Sequence, residues 1–67
     1  MRWRSQSKEF ASRVYEIKED RLVGFYLYVF ENEECIRDHL QDTLAIAMEV
    51  ALHDYGVPLN SWKKADD

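Results

Sequence analysis

The chain has 67 residues, of which 33% are charged, and it carries a net charge of −4 and one cysteine. This length allows one small domain. An aromatic content of 13% excludes a fully disordered chain, because disordered chains are poor in the residues that build a core. No apolar run approaches the roughly 20 residues of a membrane-spanning helix, and no basic segment followed by an apolar one opens the sequence. We therefore expect a cytoplasmic protein with no signal peptide.

The shortness of the chain also favours association with another chain. Small domains bury a smaller share of their surface than large ones and often gain stability from disulfides, metals or oligomerisation. Cys35 is the single cysteine, so no internal disulfide can form. We expect a homodimer in a reducing compartment.

The N-terminal residues differ in charge from the rest of the chain. Residues 1–8 contain Arg2, Arg4 and Lys8 without an acid, a local charge of +3 that leaves −7 on the rest of a chain whose total is −4. The segment has no clear hydrophobic period and predicts a flexible basic arm, in which Trp3 would anchor any docking contact. We divide the remainder into a single domain, 9–62, and a charged tail, 63–67.

Three strands are predicted after the arm. Residues 10–18 contain aromatic and branched side chains in imperfect alternation, and residues 24–30 are the clearest strand, with six such residues after a glycine. A polar connection at 32–34 leads to a third strand at 35–40. Short connections between consecutive strands predict an antiparallel meander.

A helix follows the meander. Asp42 and Thr43 are possible N-caps, Gly56 suits the left-handed position after the last turn, and Pro58 prevents continuation. One apolar stripe predicts the buried side of this helix and consists of Leu44, Met48, Ala51, Leu52 and Tyr55. The tail is expected to fold back and close the core through Val57, Leu59 and Trp62. The fold class is therefore α+β, with a three-stranded antiparallel meander followed by one packed helix (βββα) and a short C-terminal tail.

Apolar residues occupy more faces than one small core requires. Strand residues alternate between the two sides of a sheet, yet the strand at 24–30 is apolar on both sides. An exposed aromatic patch of this size is unusual on a monomer, and tyrosine is favoured at interfaces. On the helix, two further apolar residues project away from the predicted stripe. The candidate interface residues are Trp3, Tyr26, Tyr28, Phe30, Ile46 and Val50.

Signals for catalysis and for metal binding are weak. Cys35, His39 and His53 could in principle act as nucleophile, acid–base groups or metal ligands. Alternation would place Cys35 and His39 on one strand face, but the set has no recognised ligand spacing. We expect no enzyme activity, no cofactor and no metal, and keep small-molecule or metal binding as an alternative.

A second alternative is a nucleic-acid-binding protein. Aromatic side chains on a sheet can stack single-stranded bases, and the basic N-terminal arm could contact phosphates. The clear strand is bracketed in sequence by acidic residues, however, and these oppose binding of a polyanion. The bracketing acids are Glu16, Glu19, Asp20, Glu31, Glu33 and Glu34.

The middle of the chain resembles the HicB antitoxin family. The similar parts are 24–30, 35–36 and 41–44, followed by a helix containing Ala47 and Ala51, so the resemblance covers residues 24–52. That family's partial double-stranded-RNA-binding-like domain has three strands and an alanine-rich helix capped by an Asp-Thr pair. The chain lacks the family's Pro-Asp-x-Pro-Gly segment and the glycine before Asp-Thr. The resemblance implies a dimeric, non-catalytic protein that binds and masks a partner.

The leading hypothesis is therefore a non-enzymatic interaction protein of the antitoxin or immunity type. Its acidic body suits a basic partner protein, because complementary charge accelerates association.

Overall fold

The computed structural model describes residues 1–7 and 12–65. The elements in chain order are β1 (Arg2–Gln6), β2 (Arg13–Asp20), β3 (Gly24–Glu31), β4 (Glu34–Gln41), α1 (Leu44–Tyr55), a 3₁₀ turn (Leu59–Ser61) and β5 (Lys63–Ala65). The strands form one antiparallel sheet in the order β4-β3-β2-β1-β5, so the fold is α+β.

The prediction of a three-stranded meander is wrong, because in the described part of the chain the meander has four strands and the sheet has five. Most of the segment predicted as a basic arm forms β1, and part of the predicted charged tail forms β5 beside it. The inward positions of β1 hold Trp3 and Ser5, which lie opposite Ile17 and Tyr15 in the register. A serine at a core position conceals the apolar alternation by which a half-buried strand is recognised. Burial of the Ser5 hydroxyl costs free energy, and a hydrogen bond offsets this cost. Ser5 Oγ lies 2.8 Å from Ser61 Oγ.

The three strands predicted from the sequence correspond to β2, β3 and β4, with shifted ends. The predicted start at residue 10 lies outside the described residues, and β2 begins at Arg13. Between β3 and β4, Asn32 and Glu33 have φ values of 51° and 68°, the left-handed conformation of tight hairpin turns. Gly24 has a φ of 132°, and a Cβ there would lie 2.4 Å from the carbonyl oxygen of Gln41. The chain therefore requires glycine where β3 begins.

The predicted helix ends are confirmed. Thr43 Oγ1 accepts a hydrogen bond from the Ile46 N–H at 3.1 Å. Gly56 is left-handed with a φ of 70°, and its N–H donates to the Leu52 carbonyl at 3.0 Å. At 12 residues, α1 is too short to cross a membrane, and no other helix in the described part of the chain is long and apolar enough.

The core lies between α1 and one face of the sheet. Its buried residues are Tyr15, Ile17, Leu27, Val29, Ala47, Ala51 and Val57. Ala47 and Ala51 are the fully buried residues of the helix. The buried side is therefore rotated from the predicted stripe. Val50 packs half-buried against the core and Leu52 is 40% exposed.

Candidate interaction face

The two faces of the sheet have different surroundings. Residues directly opposite each other on neighbouring strands point to the same face. The face that carries Ile17, Leu27 and Val29 is covered by α1. Among residues 1–7 and 12–65, no helix or further strand packs on the opposite face. We call this opposite face the helix-free face.

The register arranges the helix-free face in three rows that run across the strands. In the order β4, β3, β2, β1 and β5, the first row is Leu40, Tyr26, Lys18, Arg2 and Ala65. The second row, in the same order, is Asp38, Tyr28, Glu16, Arg4 and Lys63. The third row lies beyond the end of β5 and is Cys35, Phe30, Val14 and Gln6.

An aromatic column follows β3 through the three rows and consists of Tyr26, Tyr28 and Phe30. The rings of Tyr26 and Tyr28 stack with centroids 5.8 Å apart and planes 15° apart. The centroids of Tyr28 and Phe30 are 6.1 Å apart. Each of the three side chains is half-buried, and the neighbouring Leu40 is 49% exposed. The structure thus brings the three predicted aromatic residues together in one partly exposed patch.

Tyr28, at the centre of the column, is uncharged at neutral pH. Burial raises the pKa of Tyr28 above its ordinary value of 10.0, and the negative charges of nearby Tyr26 and Asp38, where ionised, raise it further. Desolvation disfavours the phenolate form. Tyr28 therefore presents an apolar ring and a protonated hydroxyl, which is the combination that makes tyrosine effective in interfaces.

Charges are unevenly distributed beside the column. On one side, β1 and β5 carry Arg2, Arg4 and Lys63, whereas β4 on the other side carries Asp38. Between them, β2 carries both signs, and Arg2 Nη1 lies 3.8 Å from Glu16 Oε1. The helix-free face thus has a basic half and an aromatic half with one acid, separated by β2.

The side chains considered for catalysis are dispersed. A β-bulge shifts the register of β4 between its pairs with Val29 and Phe30. Cys35 consequently lies on the helix-free face and His39 on the covered face, so the expectation that they share a face is wrong. His53 is exposed on α1. Among the described residues, no group of three His, Cys, Asp or Glu side chains could hold a metal ion.

His39 and Cys35 make local structural contacts. His39 Nε2 lies 2.7 Å from the hydroxyl of Tyr55, and their rings meet edge to face. Burial raises the pKa of Tyr55, which keeps that hydroxyl protonated at neutral pH. Cys35 is exposed, and its thiol donates to the Arg37 carbonyl at 3.4 Å. The first contact joins β4 to α1, and the second lies within β4.

The remaining interface candidates lie away from the aromatic column. Trp3 is half-buried on the covered face, where its ring centroid is 6.0 Å from that of Phe25. Ile46 is 40% exposed on α1, while Val50 contacts the core. The basic residues beside the column were missed as site residues because their position depends on β1. Leu40 was detectable, since it lies two residues after Asp38 on the third predicted strand and therefore shares its face.

No protein-family model, curated protein or solved structure matches this chain. The resemblance to HicB antitoxins therefore remains a prediction from residues 24–52. The physical features of the helix-free face carry the functional argument.

Proposed function

We propose that the protein is a small non-enzymatic interaction module that binds another protein chain across its helix-free face. Masking of a partner, as antitoxins and immunity proteins do, is the form of action we favour. The observation that carries the proposal is the partly exposed column of Tyr26, Tyr28 and Phe30. Aromatic side chains are enriched in interface cores, and a few of them usually supply most of the binding energy.

The charge pattern around the column supports the same function. Interfaces commonly combine an apolar centre with a polar rim, and here Asp38 lies on one side of the column while Arg4 and Lys63 lie on the other. Charges of both signs at a rim select partners and raise association rates more than they add affinity. This face carries charges of both signs, so partner choice there depends on their arrangement and not on the net charge of −4.

Site-specific photocrosslinking in the cells that make the protein tests this function. A photoreactive phenylalanine analogue replaces Tyr28 in one variant and Leu59 in a matched control, because Leu59 is 54% exposed outside the helix-free face. We expect defined protein adducts from position 28 and few from position 59. Adducts of equal yield at both positions, or none at position 28, would contradict the proposal.

A second candidate function is binding of single-stranded nucleic acid by the same face. It is favoured by one observation, which is that β1 places Arg2 and Arg4 in the same rows as Tyr26 and Tyr28. Some of the acids that bracket β3 in sequence do not lie on this face. Glu19 and Glu31 occupy register positions that belong to the covered face. Base stacking with flanking cations is the usual chemistry of such sites.

Fluorescence anisotropy with a labelled oligouridylate tests the nucleic-acid candidate. It predicts binding at low salt that weakens steeply as salt increases, because phosphate contacts release counterions. Arg4→Glu would abolish this binding, while Lys64→Glu, next to Lys63 but opposite Trp3 on the other face, would weaken it less. Absence of binding at low salt removes this candidate.

A further inference from the structure

We propose that the chain bound on the helix-free face is a second copy of this chain, related to the first by a two-fold axis that runs along β2. The inference rests on the proposed function and names the partner of that face. It follows from the way the rows of the face complement themselves.

The position of β2 defines the geometry. In the order β4-β3-β2-β1-β5, β2 is the middle strand. A two-fold axis parallel to β2, halfway between two stacked sheets, places β3 over β1 of the second copy and β4 over β5 of the second copy. Sheets that stack in this way lie about 10 Å apart with strand directions within about 30° of each other. Because the axis runs along the strands, each row meets the same row of the second copy.

The second row shows the complementarity most clearly. Tyr28 on β3 lies over Arg4 of the second copy, an arrangement in which a guanidinium meets an aromatic face. Asp38 on β4 lies over Lys63 of the second copy, which pairs opposite charges. The symmetry creates both contacts twice. Glu16 approaches its own equivalent at the axis, but arginines from β1 flank it in each copy.

The other two rows are compatible with the same axis. In the first row, Tyr26 lies over Arg2 of the second copy and Leu40 lies over Ala65 of the second copy. In the third row, Phe30 lies over the aliphatic part of Gln6 of the second copy. Lys18 faces its equivalent near the axis, and Glu16 of both copies is two residues away on the same face. The aromatic half of one face thus covers the basic half of the other.

The size of the face suits a dimer of this kind. The three rows span about 20 Å along the strands, and five strands at about 4.8 Å spacing give a width of about 24 Å. The flat area is about 480 Å² per copy, so two copies cover about 960 Å² before the relief of the side chains is counted, close to the roughly 1000 Å² in total that a specific interface needs. The flat area corresponds to about one tenth of the 4866 Å² accessible surface of the chain.

The two outer strands of the sheet are poorer surfaces for a second copy. An antiparallel pair of β4 strands related by a two-fold axis brings Arg37 or Asp38 close to its own equivalent, and like charges opposite each other destabilise a sheet. The bulge in β4 also interrupts a regular ladder. At the other edge, β5 has three residues, two of which are lysines. The helix-free face is therefore the favoured site of self-association.

Two charge reversals test the predicted contact between Asp38 and Lys63. The masses of the full-length chain, Asp38→Lys and Lys63→Asp are measured by light scattering after size-exclusion chromatography across the micromolar range. We expect the unaltered chain at twice its 8.0 kDa mass. Each variant alone should dimerise at least about tenfold more weakly, because each dimer then contains two like-charge contacts. An equimolar mixture of the two variants should form a one-to-one heterodimer, in which both contacts join opposite charges again.

Glu49→Lys and Lys64→Asp are the matched controls, because both residues are exposed and lie outside the helix-free face. Both should dimerise like the unaltered chain. Circular dichroism of every variant verifies folding, and formation of the heterodimer from the mixture does so independently.

Three outcomes would overturn the inference. A folded chain that stays at 8.0 kDa throughout the concentration range has no such dimer. The proposed axis is excluded if both charge-reversal variants dimerise with unchanged affinity, or if their mixture forms no heterodimer. If the chain is monomeric but Tyr28 crosslinks to another protein, the inference fails and the proposed function stands. If it is monomeric, gives no protein adducts and binds oligouridylate, both fail.

Discussion

On the covered face of the sheet, Ile17, Leu27 and Val29 have no accessible surface and pack in one core with a helix whose fully buried residues are alanines. On the helix-free face, the alternate residues of β3 are large and aromatic, yet they remain half-exposed. The same strand therefore supplies apolar side chains to two environments. This difference suggests that folding energy comes from one face and recognition from the other, and the predictions below test that division.

The largest effect is expected on the covered face. Leu27→Ala should lower the free energy of unfolding by about 3 kcal/mol, because it removes buried methyl groups and leaves a cavity under α1. Urea denaturation at low protein concentration measures this loss. A loss below about 1 kcal/mol would mean that the helix and the sheet are not closely packed around Leu27.

A smaller loss is expected for the buried polar residue of the same face. Ser5→Ala should cost about 1.5 kcal/mol, because Ser5 is 3% exposed and its hydroxyl is bonded to that of Ser61. Ser61 keeps a second hydrogen bond to the Pro58 carbonyl at 2.6 Å, which limits the cost. Ser12→Ala is the control, because Ser12 is exposed. Equal losses for the two variants would show that the contact with Ser61 contributes nothing.

The helix-free face should contribute less to the stability of the isolated chain. Tyr28→Thr, which keeps a residue that favours strands, should cost less than about 1 kcal/mol at concentrations where copies are dissociated. The same substitution should abolish dimerisation. If it destabilises the dilute chain as much as Leu27→Ala does, the aromatic column belongs to the folding core and the contrast between the faces is lost.

The smallest effect concerns alkaline pH and involves both faces. The pKa values of Tyr28 and Tyr55 are raised in the folded chain by burial. The unfolded chain therefore loses these protons first, and stability should fall as the pH rises above the ordinary tyrosine pKa of 10.0. Tyr28→Phe and Tyr55→Phe should each weaken this dependence in urea titrations from pH 9 to 11. An unchanged slope in both variants would contradict it.

The helix and the central strands were predictable because their signals are local. Thr43 and Gly56 define the ends of α1 through contacts within a few residues, and the aromatic strand is visible from composition. By contrast, a core position of β1 is occupied by the polar residue Ser5, which interrupts the apolar alternation. Its hydrogen-bond partner Ser61 is 56 residues away in sequence. A three-residue strand such as β5 has no periodic signal of its own. Both strands exist because the tertiary structure satisfies their polar groups.

The candidate site was predictable in part for the same reason. Alternation along β3 alone groups Tyr26, Tyr28 and Phe30. The cations beside them become visible only when β1 is placed in register with β2. Similarly, Cys35 and His39 lie on opposite faces of the sheet because of a bulge that is not evident in the sequence of β4. Long-range register, rather than residue type, was the missing information.

We infer that the helix-free face is covered by another chain in solution, and hydroxyl-radical footprinting across a range of protein concentrations can detect this coverage. If a second copy covers the face, oxidation of Tyr26, Tyr28 and Phe30 falls as the concentration of the pure protein rises. Oxidation of Leu52 and Leu59, which are exposed elsewhere, should stay constant. Oxidation of the aromatic column that does not change with concentration would contradict coverage by a second copy. If oxidation also does not change after the lysate of the producing cells is added, coverage by any other chain would be contradicted as well.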